Sequence, residues 1–590
     1  MEVLVIVVVG LLGIAAAAVI GPRVGVAAPL LLVLVGIGVS FVPFVPDIQV
    51  DPEWILAGVV PPLLYAAAVS MPAMEFRREF GAISALSIGL VVVSSVLIGL
   101  LFAWIIPDLG IPLGIALGAI VSPTDAVATS IIKRIGVSPR IVTVLEGESL
   151  LNDATALVAL RSAIAATAAA VTFWDVLGDF LFAVGVALVI GYLVGKANLW
   201  VRSRIADATV NTVISFTVPF LASLPAEALG ASGLVAAVVA GLVTGRGAIR
   251  SLAPQHRISD AQNWRAIELI LEGAVFLILG LELSTLIDDL SNRRYGVDIT
   301  ISVLIAVVSL IAGLVIRAGY VAVTIRWSGR RARRAAALRP RLAEVERRLD
   351  EHQLDERADH AIAQTAGMPI IAAERPPGEL RPGDGPEPRA ARRRARVPDA
   401  ERVGRFRRRI RRKAADIDYF LAVPLGWREG TVIVWAGMRG AITLAAAQTL
   451  PSDTPGRSVL VLTAFFVAAI SLLVQGGTIG WLVRRVKPAT VDPAASATER
   501  AELDRLLHDV ADRIVERDRA EHGEPADPAS EARREHMRTL RLQIIVAQRS
   551  ALLDARDDGL YSSSALAAAL DVLDADEISM TLRGAVRDEG

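Results

Sequence analysis

Cysteine is absent from this chain of 590 residues, and only six histidines occur in it. The lack of cysteine excludes disulfide bonds and thiolate metal sites. All six histidines fall in loops or tails between the apolar segments, so a histidine proton relay inside those segments is excluded. Basic and acidic residues are equal in number, 61 of each, and a formal net charge of zero identifies no partner. Any proton chemistry inside the apolar segments must therefore use carboxylates.

Apolar residues dominate the chain instead, at 53% of the sequence with a mean hydropathy of +0.52. An apolar run of about 18 residues is long enough to span a bilayer as a helix. By this length rule we predict about thirteen transmembrane helices, near 3–20, 24–43, 54–70, 82–106, 111–131, 141–168, 176–197, 208–225, 231–245, 266–286, 298–326, 431–450 and 457–483. The first follows Glu2 and no basic region, so we interpret it as a transmembrane helix and not a signal peptide.

Basic residues occur in alternate connecting loops, which predicts the orientation of the chain. One set of loops contains Arg23; Arg77 and Arg78; Lys133, Arg134 and Arg140; Lys196, Arg202 and Arg204; and Arg246, Arg250, Arg257 and Arg265. The other set has no lysine or arginine except Arg293 and Arg294. Basic loops stay in the cytoplasm. We therefore expect a protein of the plasma membrane with its N-terminus outside the cell and its C-terminus in the cytoplasm.

The polar segments divide the chain into four parts. We expect a transmembrane domain over 1–326 and 429–486, interrupted by an Arg-rich cytoplasmic loop over 327–428 and followed by a cytoplasmic tail over 487–590. Within the loop, short amphipathic helices should flank a disordered Pro/Gly-rich stretch, Pro376–Pro388. Its basic blocks either touch anionic lipid or form a solvated charged surface. The tail has helical periodicity, and we see no site chemistry in it.

Two spans carry motifs that can interrupt a helix at their midpoints. The fifth contains Ser122-Pro123-Thr124-Asp125, and the twelfth contains Gly437-Met438-Arg439-Gly440. The two spans run in opposite directions. Discontinuous helices at matching positions of inverted halves indicate the binding site of a transporter.

The sixth span carries an oxygen-rich stripe. Glu148 and Asn152 lie four residues apart and share a helix face, and Ser149 and Asp153 share the adjoining one. Hard cations prefer hydroxyl, amide and carboxylate oxygens of this kind. Burial disfavours the charged form of a carboxyl group, so a proton and a cation would compete for Asp153. The alternative for Asp153 is a structural ion pair with an arginine, which is the reading we favour for Glu148.

The interruption of the fifth span supplies two further candidates. Pro123 frees backbone carbonyl groups, which need a new partner inside a membrane. Thr124 is a candidate cation ligand. Asp125 would lie at the start of a half-helix, where it either caps the helix or joins the ion site.

Arg439 needs an anionic partner because a lone arginine inside a membrane is costly. We expect Glu148 to be that partner, with Glu146 as the second candidate. Arg317, Glu268, Glu272 and Glu282 are further charges in or near spans, and we expect at least one structural Arg–Glu pair among them.

At these residues the chain resembles the sodium/proton exchanger superfamily, in the monovalent cation:proton antiporter branch with the Asn-Asp motif. The resemblance covers about 1–485 and is carried by Pro61-Pro62-Leu63-Leu64-Tyr65, Ser122 to Ala128, Glu146 to Asp153, and Gly437 to Ala441. It implies an all-α polytopic fold of inverted repeats, with two discontinuous helices that cross, and a homodimer that works by an elevator-like motion.

The resemblance also implies roles for single residues. Asp153 would be the ion-binding and proton-exchanging carboxylate beside Asn152, with Thr124 and Ser149 as further ligands of a monovalent cation. Glu148 and Arg439 would form a core ion pair. The Asn-Asp form of the family implies electroneutral exchange. Ala66 departs from the pattern, because many members have an acidic residue there, and it leaves the cation open between sodium, potassium and lithium.

The expected function is the exchange of a monovalent cation, Na⁺ before K⁺, for H⁺ across the plasma membrane, in support of pH homeostasis. We expect no enzyme activity and no cofactor beyond the transported ions. The expected partners are membrane lipid, the two ions and a second copy of the chain, without nucleic acid. A cation channel or uniporter is the main alternative, and a sensor that has lost transport is another. An intramembrane enzyme using Ser149 would lack a histidine base within a span.

Overall fold

The computed structural model describes residues 2–24, 26–42, 51–168, 173–292, 299–350, 400–451, 454–490, 492–522 and 531–588, and these residues are almost entirely helical. Within these ranges the only β pairing is an isolated bridge between Val137 and Thr490. The predicted all-α class is therefore confirmed. The Pro/Gly-rich stretch Pro376–Pro388 and the pair Arg293 and Arg294 lie outside the described residues.

The helices of the apolar part follow one another with short connections. They are α1 (Glu2–Val24), α2 (Ala28–Ser40), α3 (Val60–Ser70), α4 (Ala73–Ser84), α5 (Val91–Ile105), α6 (Gly110–Val121), α7 (Val127–Ile135), α8 (Pro139–Ala168), α9 (Phe173–Arg202), α10 (Ala208–Ala228), α11 (Gly233–Ser251), α12 (Pro254–Asn292) and α13 (Ile299–Ala336). Wider π-helical turns precede α3 at Trp54–Val59 and join α4 to α5 at Ala85–Leu90.

The remaining helices include the last apolar ones and the polar tail. They are α14 (Arg339–Asp350), α15 (Ala400–Ala422), α16 (Trp427–Trp435), α17 (Ala441–Gln448), α18 (Arg457–Ser471), α19 (Gly477–Val486), α20 (Pro493–His522), α21 (Glu531–Asp558) and α22 (Ser563–Asp588). A π-helical turn, Leu472–Gly476, makes α18 and α19 one continuous rod.

Many of these helices are long and apolar enough to cross a membrane, which makes the chain a multi-pass membrane protein. Eight stretches of the described residues meet this test by length and composition, and three shorter apolar helices join them. The eight are Leu4–Val24, Ala73–Ile105, Leu177–Arg202, Ala208–Ala228, Gly233–Ser251, Pro254–Ile287, Ile299–Val345 and Arg457–Val486.

The difference from thirteen predicted spans has a physical reason. Helix α8 is 30 residues long but carries several charges, and the fifth and twelfth predicted spans are each broken into two short helices. A test that requires a long, continuous helix with few charges does not count such elements as spans.

Small residues let α5 and α6 pack closely. A Cβ at Gly114 would lie 2.5 Å from the carbonyl oxygen of Gly99, and one at Gly118 would lie 2.7 Å from the Gly99 amide nitrogen. Beyond them the hydroxyl oxygens of Ser94 and Ser122 lie 2.7 Å apart. Close backbone approach of this kind is a common basis of helix association in membranes. It holds α6 rigidly up to the point where the helix breaks.

Two arginines counted as loop cations are buried in the fold, which corrects the sequence-based picture. Arg140 is paired with Glu79 at 2.6 Å, and Arg202 is paired with Asp260 at 3.0 Å. Neither arginine adds to the charge of an exposed loop. The sequence could not show this, because an arginine at a helix end can point inward or outward.

The described residues form two compact units. The first takes its residues from Met1–Arg326, Leu425–Pro493 and Asp574–Gly590, and the second from Trp327–Pro424 and Ala494–Leu573. In the first unit one large apolar core links the helices around α6, α8 and α18.

In the second unit a small apolar core lies between α14 and α15, where Leu342, Ile410 and Ile417 are buried together. The helices α20 and α21 form an antiparallel hairpin in the same unit. The Gln548 side-chain amide donates to the Leu507 carbonyl over 2.9 Å, and His536 contacts Asp518 further along. These cross-contacts fix the register of the hairpin.

Candidate functional site

The first interruption lies between α6 and α7 and spans Ser122 to Ala126. Pro123 has no N–H group, so the helical ladder cannot continue through it. The chain then restarts as α7, and the Asp125 carboxylate accepts a hydrogen bond from the Val127 amide over 3.2 Å. This contact favours the helix-cap alternative for Asp125, since a carboxylate suits the positive end of a helix dipole. One of its two carboxylate oxygens is used in this way.

The second interruption lies between α16 and α17 and crosses the first one. The backbone N–H of Asp125 donates to the Met438 carbonyl over 2.7 Å. Gly440 lies against the Asp125 side chain so closely that a Cβ there would overlap the carboxylate. The two predicted discontinuous helices are thus joined directly at their breaks, through the main chain.

Arg439 closes the end of the opposite half-helix. Its Nε donates to the carbonyl of Val121, the last residue of α6, over 2.9 Å. It also donates to the Gly437 carbonyl, and its backbone N–H donates to the Ser471 hydroxyl over 2.9 Å. The last carbonyl groups of a helix have no partner within the helix and carry partial negative charge. A cationic side chain such as Arg439 donates hydrogen bonds to these carbonyl groups and also balances their partial negative charge.

The predicted Glu148–Arg439 ion pair is wrong, because Glu148 is paired with Arg317. Arg317 Nη2 donates to Glu148 Oε2 over 2.8 Å, and Nη1 contacts the other carboxylate oxygen. Both side chains are only 2% exposed. Arg317 also donates through Nε to the Ile433 carbonyl near the end of α16, over 3.0 Å. Glu148 is therefore committed to a bidentate pair, which agrees with its structural reading.

The choice of arginine could not be read from the sequence. Arg317 and Arg439 are both arginines within apolar segments, and which one faces Glu148 depends on how the helices are rotated in the fold. The useful signal was present in Arg317 itself, because a charge deep in an apolar span requires a partner.

Thr124 and Asn152 form the next part of the site. Asn152 Nδ2 donates to the Thr124 hydroxyl over 2.8 Å and to the Thr124 carbonyl over 2.9 Å. The Thr124 hydroxyl in turn donates to Glu148 over 3.1 Å. This network ties the break in α6–α7 to the polar stripe of α8. It also orients the Asn152 amide, whose Oδ1 atom is buried without a hydrogen-bond partner.

Asp153 is buried at 5% exposure beside this network. Among the residues that the structure describes, no hydrogen bond or ion pair is formed by its carboxylate. The alternative of a structural ion pair with an arginine is therefore not observed. Ser149, one turn earlier on α8, is partly buried, and its hydroxyl also has no partner in the described part of the chain.

The site thus separates structural charges from uncommitted oxygens. Glu148, Arg317 and Arg439 satisfy one another or helix ends, while the Asp153 carboxylate, the Asn152 carbonyl and the Ser149 hydroxyl remain available. Buried polar atoms without a partner are rare and require an explanation. Oxygens of these three types match the ligand preference of a hard cation.

A multi-pass helical protein with two broken helices crossing beside a buried acid has the architecture of a secondary transporter. Comparison with known proteins gives the family. The sodium/hydrogen exchanger transmembrane family matches residues 5–342 and 416–485. The chain belongs to the sodium/hydrogen exchanger family, which confirms the resemblance seen in the motifs.

Individual relatives agree with this assignment. An uncharacterized Na⁺/H⁺ exchanger of Escherichia coli is 35% identical over 280 residues, which are 44% of this chain and 49% of that protein. The match thus spans about half of the E. coli relative. An uncharacterized Na⁺/H⁺ exchanger of Mycobacterium tuberculosis is 26% identical over 615 residues, covering 98% of this chain and 96% of that one.

A solved structure shows the same fold. The sodium proton antiporter from Methanocaldococcus jannaschii, determined at pH 8, superposes with a TM-score of 0.53 at 15% identity. The superposition covers 82% of this chain and 99% of the archaeal one. At this identity the likeness concerns the fold.

Proposed function

We propose that this protein exchanges a monovalent cation for a proton across the plasma membrane, one for one. The observation that carries the proposal is the buried Asp153 carboxylate, for which the described residues provide no hydrogen bond or ion pair, together with the unpartnered Oδ1 of its neighbour Asn152. A buried carboxylate is stable when it is protonated or when it binds a cation. It can carry either ion but not both.

This competition is enough to couple the two ions. Cation binding requires the proton to leave Asp153, and protonation expels the cation. When the protein exposes the site to one side and then the other, each passage carries one positive charge. Exchange is then electroneutral, because Asp153 is neutralised by one proton in one direction and by one monovalent cation in the other.

The neighbouring oxygens complete the proposed cation site. Asn152 contributes Oδ1, Ser149 its hydroxyl and Thr124 the hydroxyl oxygen that is oriented by Asn152 and Glu148. Asp125 caps α7 through the Val127 amide, and its carboxylate lies near enough to Asp153 to interact with it electrostatically, so we include it in the proposed site. Glu148 keeps a structural role through Arg317, and Arg439 supports the crossing.

Sodium is the first cation to test, and potassium is the second. Both relatives described above are named Na⁺/H⁺ exchangers. Ala66 is buried in α3 and supplies no oxygen at a position where many family members have an acid. A site with one ligand fewer imposes weaker size selection on the cation, so potassium and lithium belong in the same assay.

The remaining expectations fit the same proposal. The charges in the alternate loops still favour a C-terminus in the cytoplasm after Arg140 and Arg202 are set aside. The Arg-rich loop over 327–428 and the tail over 487–590 would then share the cytoplasmic side. We propose a homodimer on the family resemblance, with pH homeostasis as the physiological role.

Transport by purified protein in vesicles tests the proposal. Vesicles with an acidic interior, loaded with a pH-sensitive dye, should lose their pH gradient when Na⁺ is added outside. Asp153→Asn keeps the size of the side chain but removes its charge, and it should abolish the response. Asp108→Asn is the matched control, because Asp108 is an exposed carboxylate in the short turn before α6.

The same vesicles separate exchange from channel activity. An electroneutral exchanger dissipates the gradient at the same rate with and without a potassium/valinomycin clamp of the membrane potential. A channel moves net charge, so its flux would respond to the clamp. Full activity of Asp153→Asn would overturn the proposed role of this carboxylate.

A further inference from the structure

The second unit contains a cluster of side chains that the transport site does not use. It lies at the end of the α20–α21 hairpin, where Asp518 and His522 come from α20 and His536 comes from α21. The sequence alone showed no site chemistry in this tail. Two histidines separated by a helix connection are 14 positions apart, and only the hairpin brings them together.

The geometry of the cluster is convergent. Asp518 Oδ1 lies 3.1 Å from His522 Nδ1, and Asp518 Oδ2 lies 3.0 Å from His536 Nε2. The two imidazole rings have centroids 5.0 Å apart. One ligand atom from each of the three residues lies within 4.8 Å of the other two. All three side chains therefore point at one small volume.

These distances suit a metal ion. Zinc binds imidazole nitrogen and carboxylate oxygen at about 2.0–2.2 Å, so tetrahedral ligand atoms lie about 3.3 Å from one another. The two measured nitrogen–oxygen distances are close to this value, and they involve different oxygens of Asp518. One ligand atom from each residue lies within 4.8 Å of the other two, so side-chain rotation would bring the three onto one ion. Two imidazoles and a carboxylate are also a ligand set that zinc uses with an open fourth position.

The surroundings leave room for the ion and for a fourth ligand. The cluster lines a cavity of about 360 Å³, together with Glu521, Arg517 and Thr539. Glu521 precedes His522 and offers a further carboxylate, while water can take the same position. Asp518 is 19% exposed, His536 34% and His522 59%, so the site is open to solvent for metal entry.

We propose that Asp518, His522 and His536 form a Zn²⁺ site that joins the end of α20 to the start of α21. The hairpin supplies the preorganisation, because its register is set independently by the contact between Gln548 and Leu507. The alternative is a hydrogen-bonded His–Asp–His cluster that binds no metal. The convergence of one ligand atom from each residue within 4.8 Å and the adjoining cavity favour the metal site.

Zinc binding to the full-length protein in detergent tests the proposal. After equilibration with Zn²⁺ at neutral pH and gel filtration, the wild-type chain should retain about one Zn²⁺ more than a chain that lacks the ligands. His522→Gln and His536→Gln keep an amide that can hydrogen-bond to Asp518 but remove the imidazole. Each should weaken Zn²⁺ binding in calorimetry by at least the roughly tenfold that even an outer-shell change costs.

His508→Gln is the matched control, because His508 is an exposed histidine of the same helix that bonds to the Asp504 carbonyl. It should bind Zn²⁺ like the wild type, and excess Mg²⁺ should not compete. Circular dichroism and elution volume confirm that the variants are folded. Wild-type binding no stronger than that of the His522→Gln/His536→Gln double variant would overturn the proposal, as would an equal loss in His508→Gln.

Discussion

Arg317 and Arg439 occupy equivalent places at the two helix breaks. Arg317 donates to the Ile433 carbonyl near the end of α16, and Arg439 donates to the Val121 carbonyl at the end of α6. Each arginine thus closes the carboxyl end of one half-helix at the crossing. The two differ in their second partner, since only Arg317 reaches the Glu148 carboxylate.

Removal of the Arg317 charge should destabilise the protein strongly. Arg317→Gln leaves Glu148 buried without a counter-charge, and breaking such a pair costs about 3–5 kcal/mol. The free energy of unfolding, measured by titration with a denaturing detergent, should fall by this amount. Arg326→Gln, at an exposed position of the same helix, should change it little.

The double variant Arg317→Gln/Glu148→Gln distinguishes a true pair from two independent losses. Once the carboxylate is neutral, the missing arginine matters less, so the double variant should be more stable than the sum of the single changes predicts. Strict additivity would contradict the coupling between the two side chains.

A methyl group at Gly440 should impair transport. The added Cβ would overlap the Asp125 carboxylate, so Gly440→Ala must displace the Asp125 side chain that caps α7. Misplacement by about 1 Å can cost on the order of a hundredfold in rate when a site depends on alignment. Vesicle exchange rates should therefore fall at least about tenfold.

Gly477→Ala is the control for that change, because a Cβ there meets nothing within 4 Å. It should exchange ions at the wild-type rate. Equal rates for the two alanine variants would show that the contact between Gly440 and Asp125 is unimportant for transport.

The Thr124 hydroxyl should be necessary for cation binding during transport, and the Thr124 methyl group should not be. Thr124→Ser keeps the bonds to Asn152 and Glu148 and should transport normally. Thr124→Val removes them, and the loss of one hydrogen bond to a charged group is worth about 1.5–3 kcal/mol. The apparent KM for Na⁺ should rise about tenfold or more, since about 1.4 kcal/mol is a factor of ten.

Thr155→Val provides the comparison on α8. Within the described residues the Thr155 hydroxyl donates only to the Leu151 carbonyl of its own helix, over 2.9 Å, so its removal should leave the KM unchanged. A KM for Thr124→Val that matches Thr155→Val would remove Thr124 from the proposed site.

Acidification should weaken cation binding if one carboxylate takes either ion. With one proton displaced for each cation bound, the apparent KM for Na⁺ should rise by up to about tenfold for each unit of pH decrease on the acid side. At saturating Na⁺ the cation displaces the proton at every pH, so the transport rates measured at several pH values should approach the same value. A KM for Na⁺ that is independent of pH would contradict competition at Asp153.

The sequence predicted the elements of the site better than their pairing. Spacing by four on α8 placed Glu148, Ser149, Asn152 and Asp153 on adjoining strips, because helix geometry is local. The motifs around Pro123 and Gly440 likewise marked both breaks. These predictions rest on residues that are close along the chain.

Pairings between distant helices could not be predicted in the same way. Glu148 is paired with Arg317 and not with Arg439, and the buried Arg202 is paired with Asp260. Helix rotation and packing decide which side chains meet. The number of spans stays a prediction, since the length test finds eight long and three shorter apolar helices among the described residues. Long-range geometry, not residue type, determined each of these pairings.

The bond from the Asp125 amide to the Met438 carbonyl joins main chain to main chain. Any amino acid except proline at position 125 can make it, so the junction of the two broken helices does not depend on the chemistry of that side chain. Substitution of Asp125 can therefore change ion binding while the two broken helices remain joined. A variant at this position that loses transport reports on ion chemistry and not on misfolding.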